Sequence, residues 1–288
     1  MRLLLVMSFL FLALPLWATT EVSTQIYDID MGRGNEEPLI FLTNGQVVTY
    51  SIADKRIIMH FETAIIKKTW FEFTLNAKRE ILSYHEIPAP SLPVPSETRE
   101  SLKLKIQNAS ETYHPSILKN LHHARALFYE ARTDAKEDSQ CFNRAHVWTY
   151  EWRTTKNLYS SKTWIFFTRK FIRKYKFEWW FHVAPMVHVI VDGEVKERIM
   201  DIKYARGPLS LKDWTNIFIR DQSDCPVVEK YTDQANYPES GSCFVMKSNM
   251  YYYQPVDLEK EELTGVIKSR WLGTEVRQAY LEAYETVL

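Results

Sequence analysis

The sequence predicts an α+β fold, and three observations carry that prediction. Asn44-Gly45 and Asp192-Gly193 each sit between runs rich in β-branched and aromatic residues, the pattern of a hairpin whose turn needs positive φ. Cys141, Ala145, Trp148 and Trp152 fall at i, i+4, i+7 and i+11, one apolar stripe along a helix. In the second half of the chain strands follow helices rather than alternating with them, which points away from a parallel α/β sheet.

The elements follow in order. Residues 1–18, "MRLLLVMSFLFLALPLWA", place one Arg before an apolar run and end on Ala18, a secretory signal pattern with cleavage expected after that alanine. The run is short for a bilayer span, and no later segment is apolar enough to be one. The mature chain is expected to be exported, periplasmic or secreted, and to meet an oxidising compartment. Residues 37–87 read as strands: "PLIFLTNGQVVTYSI", "RIIMHFETAII", "WFEFTL" and "REILSYHEI" make a small antiparallel β module. "IPAPSLPVPSE", residues 87–97, has four prolines in eleven residues and reads as an extended linker. It separates a β-rich N-terminal region, 19–97, from a domain at 98–288.

Helices are expected over 98–108 and 116–135, the second carrying Ile117, Leu118, Leu121, Ala124, Leu127 and Phe128 at helical spacing. Asp138 and Ser139 offer N-caps to the helix that Cys141 opens. Residues 162–201 read as strands turning at Asp192-Gly193. "SLKDWTNIFI" starts with Ser210 and has Asp213 three residues on, a capping-box-like helix start. Two further helices are expected near 257–264 and 273–286.

Composition narrows the function. The chain has 288 residues, 45% hydrophobic and 25% charged, ordinary for a globular protein of one large or two modest domains. Its 36 basic and 36 acidic residues cancel, so no global field recruits nucleic acid or an anionic membrane. The basic, aromatic stretch "TRKFIRKYKFEWWF" is therefore expected to be a solvated strand face above a substrate groove. With no C-x-x-C, no H-E-x-x-H and no glycine-rich phosphate loop, neither a metal nor another cofactor is expected.

The chemistry turns on cysteine. Three cysteines cannot all pair within one molecule. Cys225 and Cys243 lie eighteen apart around "YPESGS" and can close a loop, which leaves Cys141 as the odd thiol. A thiol at a helix start faces unpaired N–H groups and the positive end of the dipole, which favours a thiolate and can supply oxyanion donors. His146 is the nearest histidine, but five residues at roughly 100° each turn it about 140° away around the helix. His122 and His123 read as solvated. The 192–193 turn pairs Val191 with Glu194, which sets Ala184 against Asp201. His182, two residues from Ala184 on the same face, reaches Asp201 across a diagonal of about 7–8 Å. The same register sets Glu197 opposite His188, a rival pair. On the residues alone, burial and ion pairing stay as open as catalysis.

Four short blocks then occur in a familiar order: "CFNRAH", "WWFHVA", "KERIMD" and "GPLSLKDWTN". Across residues 136–220 the chain resembles the secreted bacterial protein-glutaminase family, the protein-glutamine deamidases. The resemblance implies a papain- or transglutaminase-like core, with a Cys-bearing helix packed on an antiparallel sheet bearing His and Asp. It implies Cys141, His182 and Asp201 as a catalytic triad. The implied activity is cofactor-free deamidation of exposed glutamines in proteins or peptides through a Cys thioester. On that reading the oxyanion sits at the Cys141 N–H with a Gln140 or Ser139 group. Trp179, Trp180 and Phe181 either wall the substrate slot or pack the core. Family members are made as proenzymes, so residues from 19 to about 110 are expected to act as an intramolecular pro-region. Ile202 stands where a Pro often follows the Asp in the family, and cysteines are fewer here. A transglutaminase-type acyltransferase, a cysteine peptidase and a non-catalytic exported binding protein remain as alternatives, since the first two share the thioester chemistry.

Overall fold

A computed structural model describes residues 19–51, 54–90, 114–232, 241–265 and 273–284. The expected leader at 1–18, the linker from 91 on and the helix at 98–108 lie outside them. The chain forms two compact units. One comprises the residues up to Ile40 together with Val48–Pro88; the other comprises Phe41–Val47 and the residues from Ala89 on.

The N-terminal elements are β1 (Thr20–Asp30), β2 (Leu39–Leu42), β3 (Val47–Thr49), α1 (Lys55–Lys67), β4 (Trp70–Leu75) and β5 (Ile81–Ile87), in a sheet of order β3-β2-β1-β4-β5, with Phe41, Leu42 and Val47 at the strand ends assigned to the second unit. β4 alternates strictly, burying Phe71, Phe73 and Leu75, as a one-sided antiparallel strand should. β1, which the sequence reading did not assign, buries Val22, Thr24 and Ile26 by the same alternation. The segment "RIIMHFETAII" corrects the expectation of an all-strand module: it is helix α1. Its paired isoleucines favour a strand, but Ile58, Phe61 and Ala64 form one buried helical face. The Asp54 carboxylate caps its start, accepting from the Arg56 N–H at 2.9 Å. At Asn44-Gly45 the chain reverses in a three-residue turn. Gly45, at φ 92°, donates to the Leu42 carbonyl, and Leu42 donates to Gln46, each at 2.9 Å.

The second unit holds β6 (Ile117–Leu118), α2 (Leu121–Glu130), α3 (Cys141–Lys156), β7 (Ser161–Phe167), α4 (Arg169–Tyr175), β8 (Phe181–Val191) and β9 (Glu194–Ile199). After them come α5 (Leu211–Phe218), β10 (Val227–Val228), β11 (Cys243–Asn249), α6 (Pro255–Thr264) and α7 (Gly273–Ala283). Its sheet runs β10-β11-β7-β8-β6, with β9 paired to β8. This is the α+β arrangement the sequence predicts, with two local corrections. The helix expected over 116–135 begins only at Leu121, where the Asn120 side chain accepts from the His123 N–H at 3.1 Å, and Ile117–Leu118 pair as a strand. "RKFIRKY" is not a strand face but helix α4, capped by Thr168 and burying Phe171 and Ile172 while Lys170 and Lys174 face water. The groove-lining role expected of this stretch has no strand to carry it.

Helix α3 is the centre of the unit. Trp148 and Trp152 pack with Ala124, Leu127 and Phe128 of α2 and with Val187 and Val189 of β8. Burying side chains of this size contributes on the order of 2–3 kcal/mol each. Buried polar side chains on one part of α3 find partners. Asn143 donates to Glu282 at 2.6 Å and accepts from the Tyr253 hydroxyl. The His146 Nδ1 lies 2.7 Å from the buried Lys162 Nζ, which also donates to the Tyr252 carbonyl at 2.6 Å.

Cys225 and Cys243 form a disulfide, and Cys141 is free and buried. The bridge ties the first residue of β11 to the chain before β10. Closing a loop with a sequence separation of 18 constrains the unfolded chain by about 3 kcal/mol. Replacing both cysteines by alanine is expected to lower unfolding free energy by about that amount. Urea denaturation of the double variant, and of the parent with and without reductant, measures it.

Candidate active site

The hairpin of β8 and β9 fixes half of the site. Asp192 and Gly193 take φ 54° and 80°, the signature of a two-residue turn whose twist matches its strands. The ladder then pairs Val191 with Glu194, His188 with Glu197 and Met186 with Ile199. Beyond the last pair the Met200 N–H donates to the Pro185 carbonyl at 2.8 Å, which carries the register on to Asp201. Asp201 lies just past the end of β9, and its side chain turns back to His182. The His182 Nε2 lies 2.7 Å from the Asp201 Oδ2. Both residues are buried. The rival pair is looser: His188 Nε2 and Glu197 Oε1 are 4.0 Å apart, and Lys247 holds Glu197 at 2.7 and 2.9 Å.

Helix α3 brings the other half. Its N-cap is Gln140, without a side-chain cap, and its first ladder bond runs from the Arg144 N–H to the Gln140 carbonyl at 3.2 Å. The Cys141 N–H therefore has no acceptor inside the helix. The Cys141 thiol is a neighbour of the His182 ring and helps to raise it. Since Nε2 faces Asp201, the nitrogen toward sulfur is Nδ1. His146 turns away from this point toward Lys162 and Tyr253, as its helical phase requires.

Charge is balanced inside the pocket wall. Burial pulls the His182 imidazole down, but the Asp201 carboxylate and then Cys141 outweigh it and raise the ring to about 9. Burial pushes the Asp201 carboxyl up. The His182 charge and hydrogen bond, the Trp214 indole and Arg144 together hold it below the usual carboxylate value. The Trp214 Nε1–H donates to the Asp201 Oδ2 at 2.8 Å, so one oxygen receives both the indole and the imidazole. Rings enclose the imidazole: Phe218 at 4.6 Å, Tyr204 edge-on at 5.2 Å and Trp214 at 5.8 Å.

Four of these neighbours escaped the sequence reading: Arg144, Tyr204, Trp214 and Phe218. The spacing of Trp214 and Phe218 on α5 marks one helical face, a signal that was available. Nothing local marks Tyr204 or Arg144. One expected role changes. The Ser139 hydroxyl donates to the Lys136 carbonyl at 2.5 Å and accepts from Arg144 at 3.0 Å, so its single proton is committed away from the site. The Gln140 side-chain nitrogen donates one of its two N–H groups to the Asp138 carbonyl at 3.2 Å. Phe181 is wholly buried among Phe142, Trp164, Phe166 and Trp180. Trp180 is buried too, its indole donating to the Leu42 carbonyl at 2.8 Å. These two pack the core, because alternation along the strand sends Phe181 to the face opposite His182. Trp179 is half-buried and bridges to Gln46. Among the described residues no group of His, Cys, Asp and Glu is placed to hold a metal ion, and no helix is long and apolar enough to cross a membrane.

The family model described as Glutaminase matches residues 117–218. A comparison with curated proteins finds no match. Among solved structures, the crystal structure of pro-protein-glutaminase is 14% identical over 81% of this chain and 83% of its own, with a TM-score of 0.49. The NMR structure of protein-glutaminase from Chryseobacterium proteolyticum is 13% identical over 52% of this chain and 91% of its own, at 0.34. A crystal structure of protein-glutaminase is 14% identical over 49% and 77%, also at 0.34. The matched stretch runs from β6 to the last residue of α5 and contains Cys141, His182 and Asp201. On that match, the segment bearing these three residues is similar to the glutaminase family.

Proposed function

We propose that this chain is a protein-glutamine deamidase, hydrolysing the side-chain carboxamide of glutamine residues to glutamate and ammonia. The observation that carries the reading is the 2.7 Å contact of His182 with Asp201 beside the Cys141 thiol, within the segment that the glutaminase model matches. In this reading Cys141 attacks the carboxamide carbon. His182 takes the thiol proton and gives it to the departing nitrogen, and Asp201 holds the imidazole in the tautomer that presents Nδ1 to sulfur. A γ-glutamyl thioester results, and a water deprotonated by His182 resolves it. Export to the periplasm or beyond, with 19–97 as a pro-region, belongs to the same proposal. It rests on the leader pattern of residues 1–18 and on the family resemblance.

Incubation with a glutamine-rich protein tests the reading. The expected result is ammonia release with a mass gain of about one unit per modified site in an otherwise intact substrate. Substrate fragments point instead to a peptidase, and cross-linked or amine-bearing products to an acyltransferase; either overturns it.

A further inference from the structure

We propose that the Tyr204 phenol is a catalytic group of this site, donating its O–H to the substrate carbonyl oxygen as that oxygen gathers negative charge. The inference deepens the deamidase reading and rests on it. Tyr204 rides the turn that follows Asp201: its N–H and that of Ala205 both donate to the Asp201 carbonyl, at 3.2 and 2.8 Å. The ring is therefore positioned by the residue that orients the imidazole. It packs edge-on against His182 at 5.2 Å and 85° and against Phe218 at 5.5 Å, yet 48% of the residue stays exposed. It is anchored on the catalytic side and open on the side from which a substrate must arrive.

Two neighbours bear on the phenol electrostatically, the Arg144 guanidinium and the Cys141 sulfur. A guanidinium only donates, so toward Arg144 the phenol oxygen can act only as an acceptor and its proton remains to be given. Arg144 is itself buried and fixed, donating to the carbonyl and the hydroxyl of Ser139. Burial and the nearby sulfur push the phenol up against the opposing pull of Arg144, so it keeps its proton at neutral pH. With the Ser139 hydroxyl committed elsewhere, the oxyanion has the N-terminal N–H of α3, and preorganised sites combine several such donors.

The step balances. The Sγ–C bond forms as the carbonyl π pair moves onto oxygen, which accepts from the Cys141 N–H and the Tyr204 O–H. Tyr204 keeps its proton throughout. The pair returns, the C–N bond breaks, and nitrogen leaves as ammonia carrying the proton from His182. Attack of water on the thioester raises the same oxyanion, so Tyr204 acts twice per turnover.

The test compares two reactions of Cys141 in the full chain and its Tyr204→Phe variant, which keeps the ring packing. Acylation by p-nitrophenyl acetate builds an oxyanion; alkylation by iodoacetamide displaces iodide at saturated carbon and builds none. The variant is expected to slow acylation about 100-fold while alkylation stays within about twofold, and to lower kcat for ammonia release without raising KM. Acylation within about threefold of the parent overturns the proposal. So does a parallel fall in both rates, which reads as mispositioning of Cys141 and His182, and so does a parent thiol that neither reagent reaches. A parent that shows the expected acylation contrast but releases no ammonia from protein glutamine sinks the deamidase reading and leaves the role of Tyr204 standing.

Discussion

Cys141→Ala is expected to abolish ammonia release, with a loss in kcat on the order of 10⁵-fold or more. The size follows from the site having one thiol and no second nucleophile near His182 among the described residues. The free Cys141 heads α3, and the base beside it is the ring that Asp201 holds. Removing it leaves donors and a base with nothing to activate except water, which lacks the effective molarity of a tethered group. Folding should survive. Cys141 is 6% exposed, and losing one sulfur from the edge of the apolar stripe costs about 1 kcal/mol, far less than truncating Trp148 or Trp152. Circular dichroism and a urea titration alongside the ammonia assay separate the two effects. A variant that keeps more than a few per cent of activity removes Cys141 from the mechanism.

Asp201→Asn carries the second largest effect, a fall of about 10⁴-fold in kcat. The Asp201 Oδ2 accepts from both the His182 Nε2–H and the Trp214 indole. An amide oxygen in that place can still accept from both, but the amide can also turn its NH₂ toward the ring, which favours the reversed imidazole tautomer. Electrostatics moves with it. Burial alone depresses the His182 ring, and Asp201 is the largest influence opposing that, so the substitution is expected to drop the ring from about 9 to below its ordinary 6.5. The sign for stability follows. A folded value raised above 6.5 contributes stability that is fully present below that pH and lost as pH rises through about 9. The parent should therefore lose stability over that window, and the variant should not. NMR titration of the ring and denaturation at about pH 6 and about pH 9.5 check both. An unmoved imidazole would mean that another group sets its charge.

Much of this site was legible because hairpin registers are arithmetic. Once Asp192-Gly193 is read as a two-residue turn, every pairing from Val191–Glu194 to Met186–Ile199 follows, and His182 and Asp201 come together without tertiary information. Helical phase likewise excluded His146. What failed was local preference overridden by packing. The isoleucines of α1 carry β-propensity, but Asp54 caps the segment and its apolar residues recur at helical spacing. The run "RKFIRKY" has only two buried residues, adjacent to each other, so no period declared itself. The aromatic run before His182 drew a substrate role because its residues flank the imidazole in sequence. Strand alternation instead buries Phe181, and Trp180 lies in the core beside Phe166. Arg144, Tyr204 and Trp214 reach the site from a helix, a turn and a second helix, and their meeting depends on the packing of α3 and α5 against β8, which no single window of sequence contains.

The hairpin also limits how this chain can change length. Residues can enter or leave between His182 and Asp201 without separating them only as matched additions, one on each strand, since such pairs lengthen the ladder outward and leave its open end as it is. A lone insertion in β8 or β9 turns every side chain beyond it to the other face of the sheet and carries the imidazole or the carboxylate out of reach. Spacing drift among related chains should therefore appear in even steps here, with odd differences confined to the loop at Asp192-Gly193 or to a bulge.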